Sequence, residues 1–305
     1  MKRSVVLGLI VVSGVALASL APAQMPVPSP EAPKVAEIEK VKANLYMIKG
    51  GGGNTAAFVT SRGVVLVDTK LAGWGQPILD KVKTVTDKPV THIINTHTHG
   101  DHVGSNVFFP ATVEIVAHEN TAANMKRMKV FEDPANAHGL VDKTFKDKMT
   151  LLSGEEAIDL HYFGPGHTNG DAFVVFRALK TVHAGDIFAR KGTPLLDMNN
   201  GGSGVHMGDT LAKAAAEFKN LDSVITGHST VMVPADLLEY SEFNKAFLAA
   251  VKAAKAAGKT PEQATAELKL PEKFAAYAMG STAVNVTKIY EELTTATTRA
   301  ISSTR

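Results

Sequence analysis

The feature that most limits what this chain can become is the run His97-Thr98-His99-Gly100-Asp101-His102, which comes straight after the β-branched stretch Val90–Asn95. Along an extended backbone residues i and i+2 project to one side, so His97 and His99 can share one ion. Gly100 bends the chain, and Asp101 and His102 then aim at a second position. Imidazole nitrogen and carboxylate oxygen suit zinc, with iron and manganese as alternatives. The competing reading, a polar turn with incidental histidines, has to explain three histidines and an aspartate within six residues. Cysteine is absent from the sequence. That excludes disulfide scaffolds, thiolate metal sites, cysteine nucleophiles and a lipidated N-terminal cysteine.

The 305 residues suit one large domain, or one domain with a modest appendage. At 45% hydrophobic and 20% charged, the chain can bury a substantial core and is not disordered over most of its length. Met1 to Arg3 give a basic start, Ser4 to Leu20 carry no charge, and Ala21-Pro22-Ala23 supplies an A-x-A cleavage pattern. Residues 1–23 therefore read as a secretory signal peptide, and a membrane anchor is the alternative. The mature protein is expected to be periplasmic or secreted, and free of the membrane after cleavage. Removal of Lys2 and Arg3 takes Lys+Arg from 32 to 30, equal to Asp+Glu at 30. A neutral chain has no electrostatic footprint for nucleic acid, so the expected partner is a small-molecule substrate. Oligomeric state is not legible.

Residues 24–39 begin Pro-rich and read as a flexible leader. Strand signals fall at Leu45–Ile48, Ala57–Thr60, Val64–Asp68, Val90–Asn95 and Val113–Ala117, with helical spacing at Gln76–Val85 and Asn120–Met128. Residues 129–150 read as a long polar loop. Strands return at Ala157–Phe163, Ala172–Phe176, Thr181–Ala184 and Val224–Thr226, and helices at Thr210–Leu221, Ala235–Ala257, Pro261–Leu268 and Thr282–Thr295. Strands followed by helices, twice over, argue α/β layering. A main domain over 40–235 and a helical extension over 236–305, packed on it, are expected.

His-x-His-x-Asp-His after an apolar strand resembles the metallo-β-lactamase superfamily. Gly166-His167-Thr168, Ala184-Gly185-Asp186 and Thr226-Gly227-His228 match the remaining family motifs, in family order and each near a strand end. The resemblance implies an αββα sandwich with extra C-terminal helices. It implies a first metal held by His97, His99 and His167, a second held by Asp101, His102 and His228, and Asp186 bridging both. Two zinc ions are implied, or iron or manganese. Such a pair lowers the pKa of bound water to about 7, and the resulting bridging hydroxide attacks an electrophilic centre. Asp101 is implied as the catalytic residue that orients the nucleophile or passes on its proton.

The best-known secreted branch of the family uses a cysteine at the second metal, and here Asp186 stands in the corresponding position. The ligand set looks like that of general hydrolases of the glyoxalase-II-like and lactonase-like kind. The expected function is an exported hydrolase of a small ester, lactone, thioester or amide-type substrate. The alternatives are a true β-lactamase and a non-catalytic metal-binding protein. Glyoxalase II itself is disfavoured, because its glutathione-binding residues are not recognisable.

The resemblance also puts the glycine-rich loop Gly50–Asn54 where the family has a substrate-covering hairpin. Asp68 and Asp171 are candidate partners for the outer nitrogens of ligand histidines. His118 and His206 are read as structural, with contact to the site as the alternative, and His161 and His183 as satisfied residues within strands. Trp74 is either lid or core. Phe243, Phe247 and Val251 form a packing stripe, while Lys245, Lys252, Lys255 and Lys259 form a solvated face.

Overall fold

A computed structural model describes residues 34–303. The signal-peptide reading and most of the leader lie outside these residues. Among the described residues no helix is long and apolar enough to cross a membrane.

The chain opens with four antiparallel strands, β1 (Glu37–Lys42), β2 (Leu45–Lys49), β3 (Thr55–Val59) and β4 (Val64–Val67). Helix α1 (Gly75–Lys83) crosses over to β5 (Val90–Asn95), which pairs parallel with β4. The short α2 (Gly100–Val103) leads to β6 (Glu114–His118), followed by α3 (Glu119–Met125) and β7 (Lys143–Phe145). These seven strands make one sheet in sequence order. A second sheet, ordered β12-β11-β10-β9-β8, is built from β8 (Lys148–Leu151), β9 (Ile158–His161), β10 (Phe173–Phe176), β11 (Thr181–His183) and β12 (Ser223–Ile225). Helix α4 (Met207–Phe218) links β11 to β12, and α5 (Pro234–Ala256), α6 (Pro261–Ala266) and α7 (Thr282–Ser303) follow.

The two-residue period of a strand explains the layering. In β4, Val65 and Val67 face one core while Val64 and Leu66 face another. The first core lies between the sheets, where Phe58, Val65 and Ile94 meet Leu160, Val174 and Phe176. The second lies against α1, with Ile93 and Ile115 on Ile78 and Val82. On the far side Phe173 and Val175 turn away from Val174 and Phe176 and pack on Leu211, Phe218 and Phe243. Three cores between four layers define the αββα sandwich. Both faces of β4 and of β10 are covered, which is why these strands are apolar throughout.

Three strands depart from the sequence reading. β1 takes up residues 37–39 of the stretch expected to be leader, and β7 and β8 take up the end of the expected loop 129–150. Their sequences, Glu-Ile-Glu-Lys-Val-Lys, Lys-Thr-Phe and Lys-Met-Thr-Leu, are charged or short because they run at sheet edges. Phe243, Phe247 and Val251 are buried together, as the stripe required. The lysine face is not wholly solvated: Lys255 of α5 bonds the Tyr290 carbonyl of α7 at 2.9 Å, and Lys245 pairs with Asp209 of α4 at 3.1 Å.

Candidate metal centre

Four chain segments that follow strands meet at one edge of the sandwich. The turn after β5 brings His97, His99, Asp101 and His102; the loop after β9 brings His167; the turns after β11 and β12 bring Asp186 and His228. Ligand atoms of His97, His99, His167 and Asp186 lie within 4.8 Å of one another, and so do those of Asp101, His102 and His228. All seven residues picked out by motif are thus brought together, and a third such group, Asp68, His97 and His102, joins the two sets.

Hydrogen bonds on the outer side of four of the imidazoles fix which nitrogen of each faces inward. His102 Nδ1 donates to Asp68 Oδ2 at 2.7 Å. Asp68 is fully buried and also takes the Thr96 N–H (2.8 Å) and hydroxyl (2.7 Å). Because the Thr96 hydroxyl proton is committed there, its oxygen accepts from His97 Nδ1 at 3.0 Å. His99 Nε2 donates to Asp197 Oδ2 at 2.7 Å, and His167 Nδ1 donates to the Leu195 carbonyl at 2.6 Å.

His97, His99 and His167 therefore turn bare lone pairs toward their neighbours. His99 Nδ1 and His167 Nε2 face each other at 3.0 Å with no proton left for the gap, and buried His97 Nε2 has no hydrogen-bond partner at all. Such an array is repulsive unless a cation sits within it. Asp186 Oδ1, 3.2 Å from His102 Nε2, likewise has no hydrogen bond, while Asp186 Oδ2 lies 3.2 Å from His228 Nε2. The donor set, five imidazoles and two carboxylates, fits zinc, iron or manganese.

Electrostatics point the same way. Burial, reinforced by the neighbouring rings of His102 and His167, holds His97 well below the ordinary histidine range. Burial brings His167 down to about 4. Burial works against a charge on His102 too, but Asp186 and Asp68 outweigh it and raise that ring well above its usual value. At His228 the penalty of burial is overcome by hydrogen bonds to Asp101 and Asp186, which push it up to about 9. Asp186 stays well below the carboxylate range despite burial, chiefly through His102. Burial thus keeps His97 and His167 neutral, while the carboxylates favour positive charge on His102 and His228.

The loop Gly50–Asn54 does not cover an open cleft. It packs directly on the ligands: an ideal Cβ at Gly52 would lie 2.7 Å from Asp101 Cβ, and one at Gly53 would lie 2.1 Å from His102 Cε1. Lys70, which the sequence reading passed over, is fully buried beneath this loop and donates to the Ile48 and Gly53 carbonyls, both at 2.8 Å. Trp74 joins the core against α1. Asp171 serves its own turn rather than a ligand ring, taking the Thr168 N–H (2.9 Å) and hydroxyl (2.5 Å).

The other histidines are structural. His118 caps α3 and stacks on Tyr162, His161 stacks on Phe163, and His183 bonds Asn54 O and Gly185 N. His206 bonds Ser203, is exposed, and does not line the cavity beside the site. Asp197 and the Leu195 carbonyl were missed: neither belongs to a motif, and a carbonyl carries no residue signature. The only clue was the unmet need of His99 and His167 for outer acceptors.

A cavity of about 230 Å³ opens on the site, lined by His99, Asp101, His167, Asp186 and His228 together with Arg190, Thr193, Leu195, Tyr240 and Ser281.

Residues 48–228 match the model of the metallo-beta-lactamase superfamily, and the chain belongs to that superfamily. Among curated relatives, the uncharacterized protein YobT of Bacillus subtilis is 31% identical over 138 residues, which cover 42% of this chain and 59% of that protein. For three of the curated relatives the match spans only 46% to 59% of their own length. The crystal structure of DIM-1 metallo-beta-lactamase superposes with a TM-score of 0.59 at 19% identity, over 70% of this chain and 98% of that one. The stereoselective inverting sec-alkylsulfatase Pisa1 from Pseudomonas sp. superposes with a TM-score of 0.73 at 13% identity, over 85% of this chain and 50% of that one. At these identities the structural likeness is one of fold.

Proposed function

We propose that the chain is an exported, dinuclear metal-dependent hydrolase of a small ester, lactone, thioester or amide-type substrate. The observation that carries this is the group of inward, proton-free nitrogens of His97, His99 and His167 beside Asp186, with His97 Nε2 buried and unpartnered. His97, His99 and His167 would hold one cation and Asp101, His102 and His228 the other, with Asp186 between them. When bound, such a pair supplies Lewis acidity and an ionised nucleophile near neutral pH.

The chain's own residues do the rest. Asp68, Asp197 and the Leu195 carbonyl take the outer N–H of His102, His99 and His167, which leaves the other nitrogen of each facing inward. Asp101 Oδ2 sits 3.2 Å from His228 Nε2 at the cavity edge, partly exposed, and is the acceptor for a proton leaving the reacting centre. Arg190, Thr193 and Ser281 give the cavity lining hydrogen-bonding groups that can orient a polar substrate, and the cavity volume limits that substrate to a small molecule. The names of the structural neighbours span lactam and sulfate ester chemistry, so a substrate screen needs lactams, lactones, thioesters, carboxylic esters and secondary alkyl sulfates.

The test is Asp101→Asn on whichever substrate the screen yields. A nearly isosteric change should keep the fold and at least one metal while turnover falls by about 10²-fold or more. Wild-type turnover in that variant would place the activity elsewhere. Export is checked separately: intact mass of the released protein should put its first residue near Gln24.

A further inference from the structure

The family match ends at His228, yet the chain continues for three more helices, and the last of them reaches back to the metal centre. The connection is the stretch 191–203, which has little regular structure beyond one helical turn at Met198–Asn200. Two groups on this stretch hold ligand rings: the Leu195 carbonyl on His167 and the Asp197 carboxylate on His99.

What gives the stretch its shape comes largely from the C-terminal region. The Thr193 N–H donates to the Ala278 carbonyl at 2.8 Å, and the Ser281 N–H donates to Thr193 Oγ1 at 3.0 Å. Buried Asn285, on the first turn of α7, donates through Nδ2 to the Pro194 carbonyl at 2.8 Å, and the Lys288 ammonium one turn later donates to the Leu196 carbonyl. Three consecutive carbonyls, of Pro194, Leu195 and Leu196, are thus held by Asn285, His167 and Lys288 respectively. Rotating either flanking peptide would swing the Leu195 carbonyl away from His167. Further along α7, Glu292 takes the Val205 N–H at 3.1 Å, and an ideal Cβ at Gly204 would fall 2.5 Å from Ile289 Cγ1, so the stretch is closely fitted to the helix here as well.

We infer that α7 is a positioning element of the metal centre, with Asn285 and Lys288 acting through Leu195 and Asp197 to set the rings of His167 and His99. The inference rests on the metal-binding reading of the site. Loss of an outer partner of a ligand histidine ordinarily costs about 10- to 100-fold in metal affinity, and loss of the groups that position that partner should fall at the low end of this range.

The experiment compares zinc affinity, measured by competition with a chromophoric chelator, with the melting temperature of the metal-free protein. It is done on the full chain for wild type, Lys288→Met, Lys288→Arg and Asn285→Leu. Zinc affinity should fall about 10-fold in Lys288→Met and return in Lys288→Arg, while the metal-free melting temperature of Lys288→Met stays at the wild-type value. Asn285→Leu should show the larger loss of affinity. If it fails to fold, Lys288→Met, at a half-buried position that tolerates an apolar chain, decides alone. Unchanged zinc affinity with a lowered melting temperature would make α7 a mere packing element and overturn the inference. If wild type itself takes up no zinc, the metal-binding reading fails first and this one with it; wild-type uptake with unaltered variants sinks this inference alone.

Discussion

Gly53→Ala should disable the metal centre although Gly53 lies outside every ligand motif. An ideal Cβ there would stand 2.1 Å from His102 Cε1, 2.4 Å from Nε2 and 2.7 Å from Nδ1. Carbon atoms in contact sit about 3.5 to 4.0 Å apart, so ring or loop must give way by more than about 1 Å. Neither is free to do so. The loop is pinned by the Gly53 N–H on Asp101 O (3.0 Å), by Lys70 on Gly53 O (2.8 Å) and by Asn54 Nδ2 on Thr226 O (2.8 Å). The ring is pinned by Asp68. Overpacking of this kind costs about 1 to 3 kcal/mol, and a ligand misplaced by about 1 Å costs about 10²-fold in rate. Gly100→Ala is the control. Gly100 lies inside the histidine motif, yet a Cβ there meets nothing within 4 Å and no left-handed φ is required. Metal analysis after dialysis, together with thermal melting, should show Gly53→Ala short of one metal and less stable, with Gly100→Ala like wild type. Full metal content at wild-type affinity in Gly53→Ala would refute the steric reasoning.

Asp68→Asn removes the buried acceptor of His102 Nδ1 and should lower affinity for the second metal by about 10- to 100-fold; equal affinity by chelator competition would remove Asp68 from its role. Lys70 yields a pH prediction. Burial brings its ammonium from 10.5 down to about 7, against the pull of Asp68 and Asp101. Between those values the unfolded chain binds more protons than the folded one, so this group makes stability rise with pH across that window. Between pH 7 and 10 the gain is on the order of 3 kcal/mol. Urea unfolding of wild type and Lys70→Met, both metal-free, should differ by that much more in favour of wild type at pH 10 than at pH 7. A difference independent of pH would mean that Lys70 is buried without a lowered pKa.

The first four candidate ligands were legible because they sit in one short motif just beyond an apolar strand, where the period of two and a bending glycine dictate direction, while His167, Asp186 and His228 were implied by the family resemblance. His97, His99, Asp101 and His102 lie within six residues and needed almost no tertiary information. The αββα sandwich was implied by the family resemblance, and fully apolar runs such as Phe173–Phe176 fit it because they are covered on both faces. Edge strands were harder: β1 alternates charge with small hydrophobic content, and β7 has three residues. The groups that orient the rings were hardest. Asp197 lies 98 residues from His99, and Leu195 acts through its carbonyl, so nothing in their own side-chain pattern announces them. Lys70 was hidden for a related reason: a lysine after a strand reads as exposed, and only the packed glycine loop explains its burial. The loop Gly50–Asn54 was read as a cover by family likeness, whereas its glycines are explained by contact with Asp101, His102 and Trp74.

The most direct test is the number of metals the chain holds. Protein equilibrated with zinc and freed of loosely bound ions should carry about two per chain by elemental analysis. His97→Ala, which removes the buried nitrogen that has no other partner, should lower that number and weaken what remains. A wild-type chain that holds no metal under these conditions, or a His97→Ala variant that holds as much and as tightly as wild type, would contradict the dinuclear centre on which the proposed hydrolase depends.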